Sequence, residues 1–192
     1  MLERFARTYL TQVKALLGRV PLEALATLVG ALSDAAEIGG RIYVMGNGGS
    51  ASTASHFACN ASHVNLGARK RLRVHSLTSE TAVLLAVAND RSYPEIFVEQ
   101  LRSVLDPGDV VLGISAGGNS PNVIRAVQFA HRRGALTAAL LGFDGGRLGR
   151  LVRHPLIVPG RDEKQVEDVH LILSHIIVQS LGAEAERRSR KP

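Results

Sequence analysis

Five short, almost continuous apolar runs, each followed by a helical pattern, constrain this chain more than any other feature. They are Arg41-Ile-Tyr-Val-Met45, Leu72-Arg-Val-His-Ser76, Asp109-Val-Val-Leu-Gly-Ile114, Leu136-Thr-Ala-Ala-Leu-Leu141 and His154-Pro-Leu-Ile-Val-Pro159. A strand apolar along its whole length needs cover on both faces, and strands that alternate with helices run parallel. The expected fold class is α/β: a five-stranded parallel sheet with helices on both faces. The alternating helices are expected at about 50–64, 79–88 and 93–104, 122–133, 147–152 and 163–185. Two further helices precede the sheet. Apolar positions from Leu2 to Leu17 make one stripe, and a second runs from Leu22 to Ala36, with Pro21 at its start and Gly39-Gly40 at its end.

At 192 residues the chain is expected to form a single domain with a real core. It divides into a helical pair over 1–40 suited to assembly, an α/β core over 41–185, and a basic tail over 186–192. There is no internal repeat, low-complexity segment or linker.

Ligands of open parallel sheets bind beyond the carboxyl ends of the strands, and the polar clusters of this chain fall there. The first is Gly46-Asn47-Gly48-Gly49-Ser50. Glycines let the backbone turn sharply and approach a ligand, and the first N–H groups of the following helix point at an anion that the helix dipole favours. The stretch is not a P-loop, because no Gly-Lys-Ser/Thr follows. Gly46-x-Gly48-x-x-Ala51 fits the loose dinucleotide pattern, but the next strand ends in His75 and Ser76 and not in the acid that would hold a ribose. The second cluster, Ser115-Ala-Gly-Gly-Asn-Ser120, repeats the logic of the first. Ser120 either caps the helix that starts at Pro121 or joins Ser115 in an anion nest. Two such loops at strand ends suit a phosphorylated sugar.

Composition narrows the partners. The formal charge is +6, aromatics are only 4% and tryptophan is absent, which argues against a stacked-base nucleic-acid platform. The basic runs Arg69–Arg73 and Arg187–Lys191 read as solvated surface and a frayed terminus, while a generally basic surface suits anionic substrates. A single cysteine, Cys59, forbids an internal disulfide framework and reads as a small buried apolar residue. No signal-peptide core and no run approaching the ~18 apolar residues of a membrane span is present. The expectation is a soluble, cytoplasmic protein.

The order G-N-G-G-S-A, H-F, A-N-D, G-I-S-x-x-G-N-S and G-x-D-G-G resembles the sugar isomerase (SIS) domain over nearly the whole chain. Within that family the chain resembles the phosphoheptose isomerases, which convert sedoheptulose 7-phosphate to glycero-manno-heptose 7-phosphate. The resemblance implies a flavodoxin-like SIS fold, a homotetramer with sites between subunits, and substrate contacts from both loops. Carried over residue by residue, those contacts are Asn47, Gly48, Gly49 and Ser50, then Asn89 and Asp90, then Ser115, Gly117, Asn119 and Ser120. Where the family has Thr and Ser inside the second loop, this chain has Ala116 and Gly117.

Isomerisation needs a base for a proton next to a carbonyl and a group to steady the enediol oxygen. The resemblance implies a histidine with a glutamate four residues later, a glutamine and a histidine on the closing helix, and in some members zinc. Here the histidine is His56, the glutamate is Asn60, the glutamine is Glu167 and the second histidine is His175. An amide is no base at neutral pH, so the carboxylate has moved from one helix to the other. Glu167 and His175 are the expected catalytic residues, and His56, Glu167 and His175 the expected ligands of one zinc ion per subunit. Helical spacing leaves Asp168 open as the acid, since it lies closer than Glu167 to the face of His175. His170 reads as structural, and His75 as a weaker candidate for ligand contact. The other reading is a non-catalytic SIS protein, a sugar-phosphate sensor or a regulator of the kind that binds a replication initiator protein.

Overall fold

A computed structural model of the chain describes residues 1–64 and 72–189, without the side chains of residues 64, 188 and 189. Two helices, α1 (Leu2–Leu17) and α2 (Leu22–Glu37), lead into β1 (Arg41–Gly46) and α3 (Gly49–Val64). Then come β2 (Arg73–Ser76), α4 (Thr81–Asp90), a 3₁₀ turn (Tyr93–Glu95) and α5 (Val98–Val104). The chain continues through β3 (Val110–Ser115), α6 (Pro121–Arg132), β4 (Leu136–Leu141), α7 (Gly146–Leu151), β5 (His154–Ile157) and α8 (Glu163–Ser189).

All four strand pairings are parallel, and the order is β2-β1-β3-β4-β5. The chain steps outward from β1 to β2, then crosses back to β3. The sheet therefore reverses direction between β1 and β3, which is where such folds bind ligands. The flavodoxin-like expectation matches this order.

Successive strand residues point to opposite faces. Ile42, Val44, Leu112, Ile114 and Leu140 form one core with Leu28 and Leu32 of α2, Phe57 of α3, and Val169 and Leu173 of α8. Tyr43, Met45, Val111, Ala139 and Leu141 form the other with Phe97 and Leu101, Val123 and Val127 of α6, and Leu148 of α7. Gly113 lets α6 close on the sheet, since a Cβ there would lie 2.8 Å from Val123 Cγ1. This close packing fixes α6, and with it the loop that precedes α6.

Three expectations are corrected. The helical stretch at 93–104 is a 3₁₀ turn followed by a short helix, with Pro94 in the turn. The closing helix runs to Ser189, so residues 186–189 are helical and not tail, and Arg187 pairs with Glu184 one turn earlier at 2.7 Å. Cys59 is exposed. It shares the outer face of α3 with His56 three residues before it, while Phe57 and Ala61 turn to the core. Residues 69–71 of the first basic run and 190–192 lie outside the described residues. Among the described residues no single helix is long and apolar enough to cross a membrane.

Candidate active site

The carboxyl end of β1 turns at Gly46, where a Cβ would lie 2.7–2.8 Å from Ser50. Only glycine brings the strand end this close to the first turn of α3. Gly48 follows at φ +53, and its carbonyl accepts the Ser52 N–H at 3.2 Å. Ser50 is buried under the turn. Asn47 is half-buried and bonded to α6 and the 3₁₀ turn. Its Nδ2 donates to Asn122 Oδ1 at 3.0 Å, while Asn122 Nδ2 and the Tyr93 hydroxyl each donate to Asn47 Oδ1 at 2.8 Å.

The second loop leaves β3 at Ser115. The Ser115 and Ser120 hydroxyls stand 3.3 Å apart, and the Gly118 N–H donates to Ser115 Oγ at 3.1 Å. Ser120 occupies the N-cap position of α6 without a side-chain capping bond, so its hydroxyl belongs to the loop and not to the helix. Asn119 is a brace: its Nδ2 donates to Gly117 O at 2.8 Å and its Oδ1 accepts the Arg147 N–H at 3.1 Å. Gly117 is exposed at the loop tip. Asn89 and Asp90 close α4, exposed and bonded to each other at 2.9 Å, with no described hydrogen bond to either loop.

Helix α8 brings the titratable groups. The Glu167 carboxylate lies against Gly49, so that a Cβ there would be 2.7–2.8 Å from it. It rests over the first turn of α3, where the helix dipole favours an anion, and accepts from Lys164 Nζ at 3.0 Å. Asp168 turns elsewhere and accepts the Tyr9 hydroxyl of α1 at 2.6 Å. That hydrogen bond, with the charge of the carboxylate, pushes the Tyr9 phenol up to about 12. Of the two acids left open by helical spacing, Glu167 therefore faces the loop and Asp168 tethers α1.

Two turns further along α8, His175 Nε2 meets His56 Nε2 at 2.7 Å, and Asn60 Nδ2 stands 3.0 Å from the same His56 nitrogen. His170 is structural, as expected: it is fully buried, and its Nε2 bonds Leu141 O at the end of β4 at 3.0 Å. Burial pushes its imidazole below the ordinary value. His75 stacks on Tyr43 at 5.7 Å between ring centroids.

The zinc set His56, Glu167 and His175 is not assembled. Among the described residues no three His, Cys, Asp or Glu side chains converge. Two imidazoles sharing a tetrahedral zinc stand about 3.3 Å apart at ordinary Zn–N lengths, whereas these nitrogens are at hydrogen-bond distance. Asn60 offers a neutral amide, and the Glu167 carboxylate rests at Gly49 and not with the two imidazoles. The described arrangement does not fit a three-ligand metal centre.

Two parts of the site escaped the sequence reading. Asn122 carries one legible signal: it is a polar residue in the otherwise apolar stripe it shares with Ala126 and Ala130, all three fully buried. Ser55 joins Ser76 and Thr78, of the polar stretch 76–80 that the sequence places at a strand end, in hydroxyl contacts of 2.7–3.3 Å that tie α3 to β2; Ser55 itself carries no local signal.

Comparison with known proteins agrees with this geometry. A SIS domain family model matches residues 8–142. The chain is 38% identical over 161 residues to the phosphoheptose isomerase of Citrifermentans bemidjiense, covering 84% of each chain. It is 33% identical over 181 residues to that of Aquifex aeolicus, covering 93% of this chain and 95% of the other. The solved phosphoheptose isomerase of Neisseria gonorrhoeae superposes with a TM-score of 0.87 at 30% identity, over 95% of this chain and 98% of that one. These relatives favour the enzymatic reading over the non-catalytic one. Motif order, sheet order and these matches together show that the chain belongs to the SIS-domain family, in its phosphoheptose isomerase-like branch.

Proposed function

We propose that the protein is a sugar-phosphate isomerase that interconverts sedoheptulose 7-phosphate and the corresponding aldoheptose 7-phosphate. The observation that carries this reading is the convergence of the Ser115 and Ser120 hydroxyls beside the β1–β3 reversal, next to a glycine loop faced by a carboxylate. The second loop takes the phosphate through these hydroxyls, with Gly117 letting the backbone approach. Gly48, Gly49 and Ser50 hold the sugar from the first loop, and Asn89 and Asp90 meet its hydroxyls from the end of α4. Glu167 takes a proton from C1 of the ketose while the C2 carbonyl oxygen gains one from His175, giving an enediol. The proton returns to C2 as the O1 hydroxyl loses its own, which leaves an aldehyde at C1. His175, braced by His56, moves the hydroxyl proton. A general base of this kind contributes about 10²–10⁴-fold.

Family membership and the free apolar face of α1 support assembly as a homotetramer. Leu2, Phe5 and Leu10 are 79%, 66% and 67% exposed, and large apolar side chains grouped on one helix face suit a subunit contact.

Glu167→Gln tests the assignment directly. The expected result is a kcat lower by about 10²–10⁴-fold with an unchanged melting temperature. A Glu167→Gln protein with the parent kcat would remove Glu167 from the chemistry.

A further inference from the structure

We infer that Asn122 and Tyr93 are positioning residues that lock Asn47 so that it offers the substrate one N–H donor and no acceptor; this rests on the sugar-phosphate reading above. The amide orientations are fixed by a group that cannot be turned round. The backbone N–H of Val123 donates to Asn122 Oδ1 at 2.9 Å, which makes that atom the oxygen. The other end of Asn122 is then the NH₂ group, and the atom it faces on Asn47 is Oδ1. The Tyr93 hydroxyl donates to the same oxygen.

A carboxamide carries two acceptor lone pairs and two N–H donors. On Asn47 both lone pairs are taken, and one N–H goes to Asn122. Among the described residues the second N–H has no partner, and Asn47 stands half-buried at the end of β1. Its ligand partner is therefore an oxygen lone pair on the sugar phosphate: a hydroxyl, carbonyl or phosphate oxygen.

The lock is itself anchored. Asn122 is fully buried at the start of α6. Tyr93 is 56% exposed, and the 3₁₀ turn that carries it is tied to α6 by the Arg125–Glu95 ion pair. The two loops thus reach the substrate as one unit, since Asn47 belongs to the first and Asn122 follows the second.

The test is steady-state isomerisation of sedoheptulose 7-phosphate by the full chain and by Asn122→Ala, Tyr93→Phe and Asn47→Asp. A donor that binds ground and transition states alike moves KM alone. Each variant is expected to raise KM about threefold to tenfold, the weight of one misplaced neutral hydrogen bond, with kcat within about twofold. Asn47→Asp combined with Tyr93→Phe should raise KM no further than Asn47→Asp alone, because both act through the same N–H. Tyr93→Phe removes one hydroxyl from a half-exposed ring and keeps the fold, so it stands in if Asn122→Ala unfolds. An unchanged KM in Tyr93→Phe, or a fall in kcat matching that in kcat/KM, overturns the inference. A parent protein that neither binds nor converts the sugar defeats the functional reading instead. The lock is then read in the free protein from the Asn47 side-chain amide by ¹⁵N NMR. Faster amide proton exchange in Tyr93→Phe supports it, and an unchanged signal overturns it.

Discussion

At the scale of single residues, two glycines that look alike in the sequence have different duties. Gly118 lies at φ +64, and a Cβ there would meet the Gly145 backbone carbonyl at 2.1 Å. Gly118→Ala is therefore expected to destabilise the fold by about 1–3 kcal/mol or more, measurable by urea denaturation. At Gly49 the obstacle is the far end of the Glu167 side chain, which swings aside at little cost. Gly49→Ala should change stability by less than about 1 kcal/mol while lowering activity, because it displaces the proposed base. Equal destabilisation in the two variants would contradict this division. The glycine loops and their serines were legible in the sequence because a strand end, a turn and a helix start are contiguous. The partner of Asn47 was not, because Asn122 lies 75 residues away. Cys59 was misread because burial on α3 depends on where α8 packs.

At the scale of elements, α8 joins the core to the candidate site, carrying His170 in the one and Glu167 and His175 in the other. Its buried His170 reaches the end of β4, and the neutral imidazole suits that place. The folded-state value is depressed below 6.5 by burial. As pH falls through 6.5 the unfolded chain gains this proton and the folded chain does not, so stability is full above that pH and declines below it. His170→Gln keeps a donor for Leu141 O and is expected to show a shallower loss of stability between about pH 6.5 and 5 in urea melts. An identical acid limb would mean that His170 is protonated as readily in the fold as outside it. Among the described residues the α-helices and strands were anticipated by type and the 3₁₀ turn was not, since periodicity and apolar runs are local signals. Two boundaries moved: Pro94 split one helix, and the closing helix runs on to Ser189 with Arg187 paired to Glu184.

At the scale of the molecule, the order of glycine, histidine and serine motifs was enough to reach the family. Strand order followed from that resemblance and not from the strands themselves. The sequence did not show that His56 and His175 meet while Glu167 stays at Gly49, because residues eight apart on one helix reach different neighbours. The exposed face of α1 belongs to this scale as well. Phe5→Glu with Leu10→Glu should convert the proposed tetramer to smaller species in light scattering, and an unchanged mass would place the contact elsewhere. The reaction proposed for this cleft moves a proton between two carbons, and deuterium incorporation reads that transfer. The purified protein is incubated with sedoheptulose 7-phosphate in D₂O and followed by NMR. The expected result is deuterium on carbon together with an aldose 7-phosphate. A shifted phosphate signal with no carbon-bound deuterium would mean that the protein binds the sugar phosphate without chemistry, and would contradict the account.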